Sequence, residues 1–92
     1  MVGRFADLAD AIRMLKDCAP GFVPRVTKHS IIIQYAGKSA LLPKGPGIPR
    51  KANVEALRGV AVHLTKIKKL AQNLGLSAEC ANHFFPNLLP LP

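Results

Sequence analysis

Apolar residues return every third or fourth position at the start of the chain, at Phe5, Leu8, Ile12 and Leu15. Asp7, Asp10, Arg13, Lys16 and Asp17 fall between them. That period predicts one amphipathic helix over residues 4–17. Asp7 and Asp10 lie in its first half, where the helix dipole favours carboxylates. Pro20-Gly21 forbids continuation.

The pattern then changes. Ser30-Ile31-Ile32-Ile33-Gln34-Tyr35 is dense in β-branched and aromatic residues, and Ser39-Ala40-Leu41-Leu42 follows after a short break. Gly37-Lys38 fits a hairpin turn with Gly first, where a positive φ is needed. Phe22-Val23-Pro24-Arg25-Val26 reads as a third strand, and Pro24, which donates no ladder hydrogen bond, puts it at an edge. A three-stranded antiparallel meander is expected over residues 22–43.

Residues 43–51 hold three prolines, two glycines and three basic residues, a composition that makes 44–51 a loop. A second stripe, Leu57, Val60, Ala61, Leu64, Ile67, Ala71 and Leu74, predicts a long helix over 52–74. Gly59 within it fits a bend or a division into two helices. Gly75 suits a helix end. Ser77 can cap a short helix over 77–85, and the proline-rich tail 86–92 carries leucines that either pack back or await a partner. The fold class is α+β: a small single domain with a helix, a three-stranded antiparallel sheet, a long helix and a short C-terminal helix. So small a sheet needs both helices on one face to have a core.

Composition bounds this picture. Ninety-two residues, 49% of them hydrophobic and none of them Trp, fit one aliphatic core. The formal charge is +8, unevenly spread: residues 1–22 balance to zero, 23–69 carry +9 and 70–92 carry −1. Such a distribution biases encounters toward anions. No signal-peptide pattern and no run long enough to span a bilayer stands out. Cys18 and Cys80 match no framework spacing and read as reduced packing residues of a cytoplasmic protein.

On a helix over 52–74, Arg58 and Lys69 fall about 120–140° from Leu64 and Lys66 about 200°, at 100° per residue. These form a basic face. Lys44, Arg50 and Lys51 from the loop join it, as do Arg25, Lys28 and Lys38 from the meander. Lys66, Lys68 and Lys69 lack the acids at i, i+4 that a merely solvated helix face would carry. Basic rows of this kind neutralise phosphates and bind in a salt-dependent way. Tyr35 alone does not make a base-stacking platform, so backbone and shape recognition fits better. Cys80 and His83 stand i, i+3, at most two of the four ligands of a closed zinc site, and His63 reads as a packing or surface residue. No metal, cofactor or small-molecule substrate is expected. His29, at the opening of the central strand, is the one candidate general acid or base, and it has no orienting carboxylate in sequence.

Lys28-His29-Ser30-Ile31-Ile32-Ile33, the hairpin after it, and Leu64-Thr65-Lys66-Ile67-Lys68-Lys69-Leu70-Ala71-Gln72-Asn73-Leu74-Gly75-Leu76 resemble the HicA toxin family. That resemblance implies a fold related to double-stranded RNA-binding domains and an mRNA interferase with His29 near the catalytic position. The chain as a whole, compact, basic and without a catalytic constellation, resembles phage-encoded type I-F anti-CRISPR proteins. This second resemblance implies a non-enzymatic inhibitor that docks on the proteins and crRNA of a CRISPR surveillance complex and blocks target DNA. The inhibitor is the leading expectation; a HicA-like ribonuclease and a plain double-stranded RNA or DNA binder are the alternatives.

Overall fold

The computed structural model describes residues 5–43 and 59–91. Eight elements follow in order: β1 (Phe5–Asp7), α1 (Leu8–Cys18), β2 (Val23–Val26), β3 (Ser30–Tyr35), β4 (Lys38–Pro43), β5 (Ala61–His63), α2 (Leu64–Leu74) and α3 (Ala78–Phe84). The expected helix–sheet–helix order with a short C-terminal helix is present. The predicted loop at 44–51 and the start of the predicted long helix, 52–58, lie outside the described residues.

β2, β3 and β4 form the antiparallel meander, with β3 in the middle and the Pro24 strand at an edge. Ile31 and Ile33 of β3, Ala40 and Leu42 of β4 turn one face inward. On that face lie Leu8, Ala11, Ile12 and Leu15 of α1 and Ile67, Leu70, Ala71 and Leu74 of α2, in one continuous core. The turn differs from expectation by one position. Tyr35 pairs with Lys38, so Ala36-Gly37 is the two-residue loop. Both its residues have positive φ, 52° and 78°, as the hairpin turn that matches strand twist requires. Lys38 thus belongs to β4.

The larger correction concerns the helix starts. Neither stripe is helical throughout, because residues 5–7 and 61–63 pair as a two-stranded antiparallel sheet. Phe5 is consequently 62% exposed instead of buried in a helix stripe. One side-chain carboxylate organises the junction: Asp7 Oδ1 accepts from the Ala9 N–H at 2.9 Å and caps α1, while Oδ2 accepts from the Gly59 N–H at 3.0 Å. Gly59 has φ +74°, outside the right-handed helix, so the second stripe cannot run through it. The Leu8 N–H donates to the Val60 carbonyl at 2.7 Å and completes the tie. The helix then starts at Leu64 and ends at Gly75.

Cys18 and Cys80 are not reduced. They form a disulfide, with Sγ atoms 2.09 Å apart and Cα atoms 5.8 Å apart, which joins the last residue of α1 to α3. The physical reason is tertiary: α3 packs against α1. The ground for a reducing compartment is removed with it. Among the described residues no helix is long and apolar enough to cross a membrane. The tail leucines divide. Leu88 and Leu89 pack into the core, whereas Leu91 is exposed. Asn82 of α3 holds the returning chain by accepting from the Leu89 N–H at 2.8 Å and donating to its carbonyl at 2.9 Å.

Candidate polyanion-docking surface

The outer side of α2 is built by subtraction. With Ile67, Leu70, Ala71 and Leu74 committed to the core, Lys66, Lys68, Lys69, Gln72 and Asn73 are left exposed. Lys66 and Lys69 are separated by about 60° around the axis and one turn along it. They form one flank. Lys68 lies on the other flank, beside the groove that Leu64, Thr65, Phe85, Pro86, Asn87 and Leu88 line. No Asp or Glu occurs between Gly59 and Leu74, so the helix supplies none of these ammonium groups with an intrahelical carboxylate.

His63, read in sequence as a packing or surface residue, caps α2. Its Nδ1 accepts from the Thr65 N–H at 3.1 Å and lies 2.8 Å from the Thr65 hydroxyl. Its ring meets Phe5 edge-on, with centroids 4.9 Å apart. The strand β5 thereby delivers a cap that the helical stripe concealed. Lys38 sits at the other end of α2. A Cβ placed on Gly75 would lie 2.6 Å from Lys38 Nζ, so the ammonium rests against the helix C-terminus, where the dipole favours a cation. Because Lys38 opens β4 and α2 packs along that strand, helix and strand run in opposite directions.

The remaining predicted basic residues do not share this face. Arg25 lies on the sheet face turned away from the helices, in register with Ile32 and Leu41. Lys28 and His29 form the exposed tip of the β2–β3 turn. Thr27 closes that turn: its N–H donates to the Ser30 carbonyl at 2.8 Å and its Oγ1 accepts from the Ser30 N–H at 3.1 Å. His29 therefore precedes the central strand by one residue and points its chemistry at solvent. Lys44, Arg50, Lys51 and Arg58 lie outside the described residues. Lys66 and Lys69 are brought together, Lys38 joins the end of their helix, and Arg25 is sent to the opposite side.

Among the described residues no group of three or more His, Cys, Asp or Glu could hold a metal ion. Cys80 is engaged in the disulfide, so the Cys80–His83 spacing offers no thiolate ligand. The fold and this surface define a disulfide-linked α+β domain that carries an acid-free lysine flank on its second helix. No protein-family model, curated protein or solved structure matches the chain.

Proposed function

We propose that the chain is a non-enzymatic binding protein that lays the Lys66–Lys69 flank of α2 on a sugar–phosphate backbone, and that it acts as an inhibitor of a crRNA-guided surveillance complex by occupying the place of target DNA. The observation that carries the polyanion reading is the pair itself: two exposed ammonium groups one helical turn apart, on a helix without a single carboxylate. A cation pair at this spacing bridges successive phosphates and gains by counterion release. The crRNA-guided complex as target rests on the resemblance of the whole chain to type I-F anti-CRISPR proteins.

The test is a salt series of binding to a labelled RNA duplex, with the Lys66→Glu/Lys69→Glu variant alongside. Wild type should bind with a linear dependence of log K on log salt, and the variant's slope should be shallower by about 2, from two lost phosphate contacts. Unchanged binding by a folded variant would sink the polyanion reading. The same pair of proteins, added to a reconstituted surveillance complex, should block target DNA in the wild-type case alone.

A second reading has its own support. The α1–β2–β3–β4–α2 order, with His29 exposed at the mouth of the central strand, is what a HicA-like ribonuclease would present. Cleavage of RNA by the purified chain, lost in His29→Ala, would replace the inhibitor with that enzyme.

A further inference from the structure

The sheet face turned away from the helices departs from the usual surface of a one-sided antiparallel sheet, which alternates apolar inward with polar outward. Strand alternation puts Val23 and Arg25 of β2, Ile32 and Gln34 of β3, and Ser39 and Leu41 of β4 on it. Arg25, Ile32 and Leu41 are direct neighbours across the three strands, and Val23 lies diagonal to Ile32. Val23 is 55% and Leu41 60% exposed. Single exposed aliphatics are ordinary, but a connected set on a rigid sheet marks a contact surface.

Charge decides what the occupant is. Residues 23–43 contain no Asp or Glu, while Arg25 stands at one end of the row that Ile32 and Leu41 continue, and Lys28 at the tip of the adjoining turn. A second copy docking by the same face would bring only further cations. A sugar–phosphate backbone would leave the apolar side chains of this face uncovered, and bases would find no ring to stack on, since Tyr35 shares the helix-side alternation of Ile31 and Ile33. We infer that this face binds an acidic protein segment in which carboxylates alternate with apolar side chains. The Arg25 guanidinium receives a carboxylate in its planar fork, and the apolar side chains of the segment cover Val23, Ile32 and Leu41. The surface is on the opposite side of the molecule from the α2 lysines and does not depend on what they bind.

The probe is a short synthetic peptide alternating Glu with Leu, titrated into the full isotope-labelled chain and followed by backbone amide NMR. Saturable shifts confined to 23–26, 30–34 and 39–42 are expected. Arg25→Glu and Leu41→Glu, both at exposed positions, should each weaken binding at least about tenfold. Arg25→Ala serves if the charge reversal alters the fold, with the same direction of change. Lys66→Glu/Lys69→Glu should leave the peptide affinity unchanged, which keeps this surface distinguishable from the polyanion flank. Absence of binding, equal binding of the peptide with Lys in place of Glu, or shifts centred on α2 would overturn the inference. A dimer in sedimentation that Leu41→Glu disperses would give the face to a second copy, and RNA-induced shifts on these same strands would give it to nucleic acid.

Discussion

The first and second helices are both eleven residues long and both bury an apolar stripe, yet they begin in opposite electrostatic ways. α1 opens with the Asp7 carboxylate as its cap and Asp10 in its first turn, and it closes with Lys16 in its last. Those three charges stand where the helix dipole favours them, while Asp17, also in the last turn, opposes it. α2 opens with the His63 imidazole, has no acid in its first turn and places Lys66 there instead. Its favourable C-terminal cation is borrowed from the sheet, through Lys38. A helix charged against its own dipole must be held by its buried face, here Ile67, Leu70, Ala71 and Leu74. The difference separates the two helices: α1 carries charges that support its dipole, whereas α2 carries a lysine against it, which the proposed polyanion docking would explain.

The comparison breaks most severely at the covalent link, which α1 has and α2 lacks. Replacing Cys18 and Cys80 together by Ser opens a loop with a sequence separation of 62. On the chain-entropy model this lowers stability by about 4 kcal/mol. Denaturant unfolding without reductant measures it, and reduced wild type should match the double variant. Reduced and oxidised wild type unfolding alike would show that the link contributes nothing. Hydrogen exchange should locate the damage in α3, a seven-residue helix that cannot persist without its docking on α1.

A smaller break is available at Asp7, whose two oxygens serve α1 and the approach to α2 separately. Asp7→Ala removes both the cap and the acceptor for Gly59, and should cost about 1–2 kcal/mol in the same unfolding experiment. Asp7→Asn retains an oxygen for Ala9 but turns an amide donor toward the Gly59 N–H, so it should fall between wild type and Ala. Equal loss in the two variants would mean that the link to Gly59, not the cap, carries the effect.

What could be read in sequence follows the same division between local and tertiary causes. The meander was legible because Ile31, Ile32 and Ile33 are β-branched and Gly37 marks the turn beside them. Gly75 and Ser77 announced the end of α2 and the cap of α3 by local chemistry alone. β1 and β5 were not legible: three residues show no period of their own, and Phe5, Val60 and Ala61 fit a helical stripe as well as a strand. The turn was misplaced by one position because Ala36 adopts a positive φ that its side chain does not advertise. The disulfide depends on α3 docking against α1, which no spacing encodes. The candidate site was half legible. Sequence locates an acid-free stretch but gives a charge no direction, and the fold sends Arg25 to one side of the molecule and Lys66 with Lys69 to the other.

The smallest expected effect sharpens the comparison furthest, because it has opposite signs in two measurements. Lys66 occupies the first turn of α2, at the positive end of the helix dipole, which prefers an anion. Lys66→Glu gives α2 the kind of charge α1 already has. It should therefore raise stability by about 0.3–1 kcal/mol in denaturant unfolding at low salt, with the gain fading as salt rises. The same substitution removes one phosphate contact and repels its neighbour, so affinity for the RNA duplex should fall and the salt slope should decrease by about 1. A helix whose only assignment were to cover the sheet would gain stability and lose nothing. A variant that is more stable and binds as well as wild type would make Lys66 an accident of the surface, and would leave Lys69 and Lys68 to account for any binding that exists.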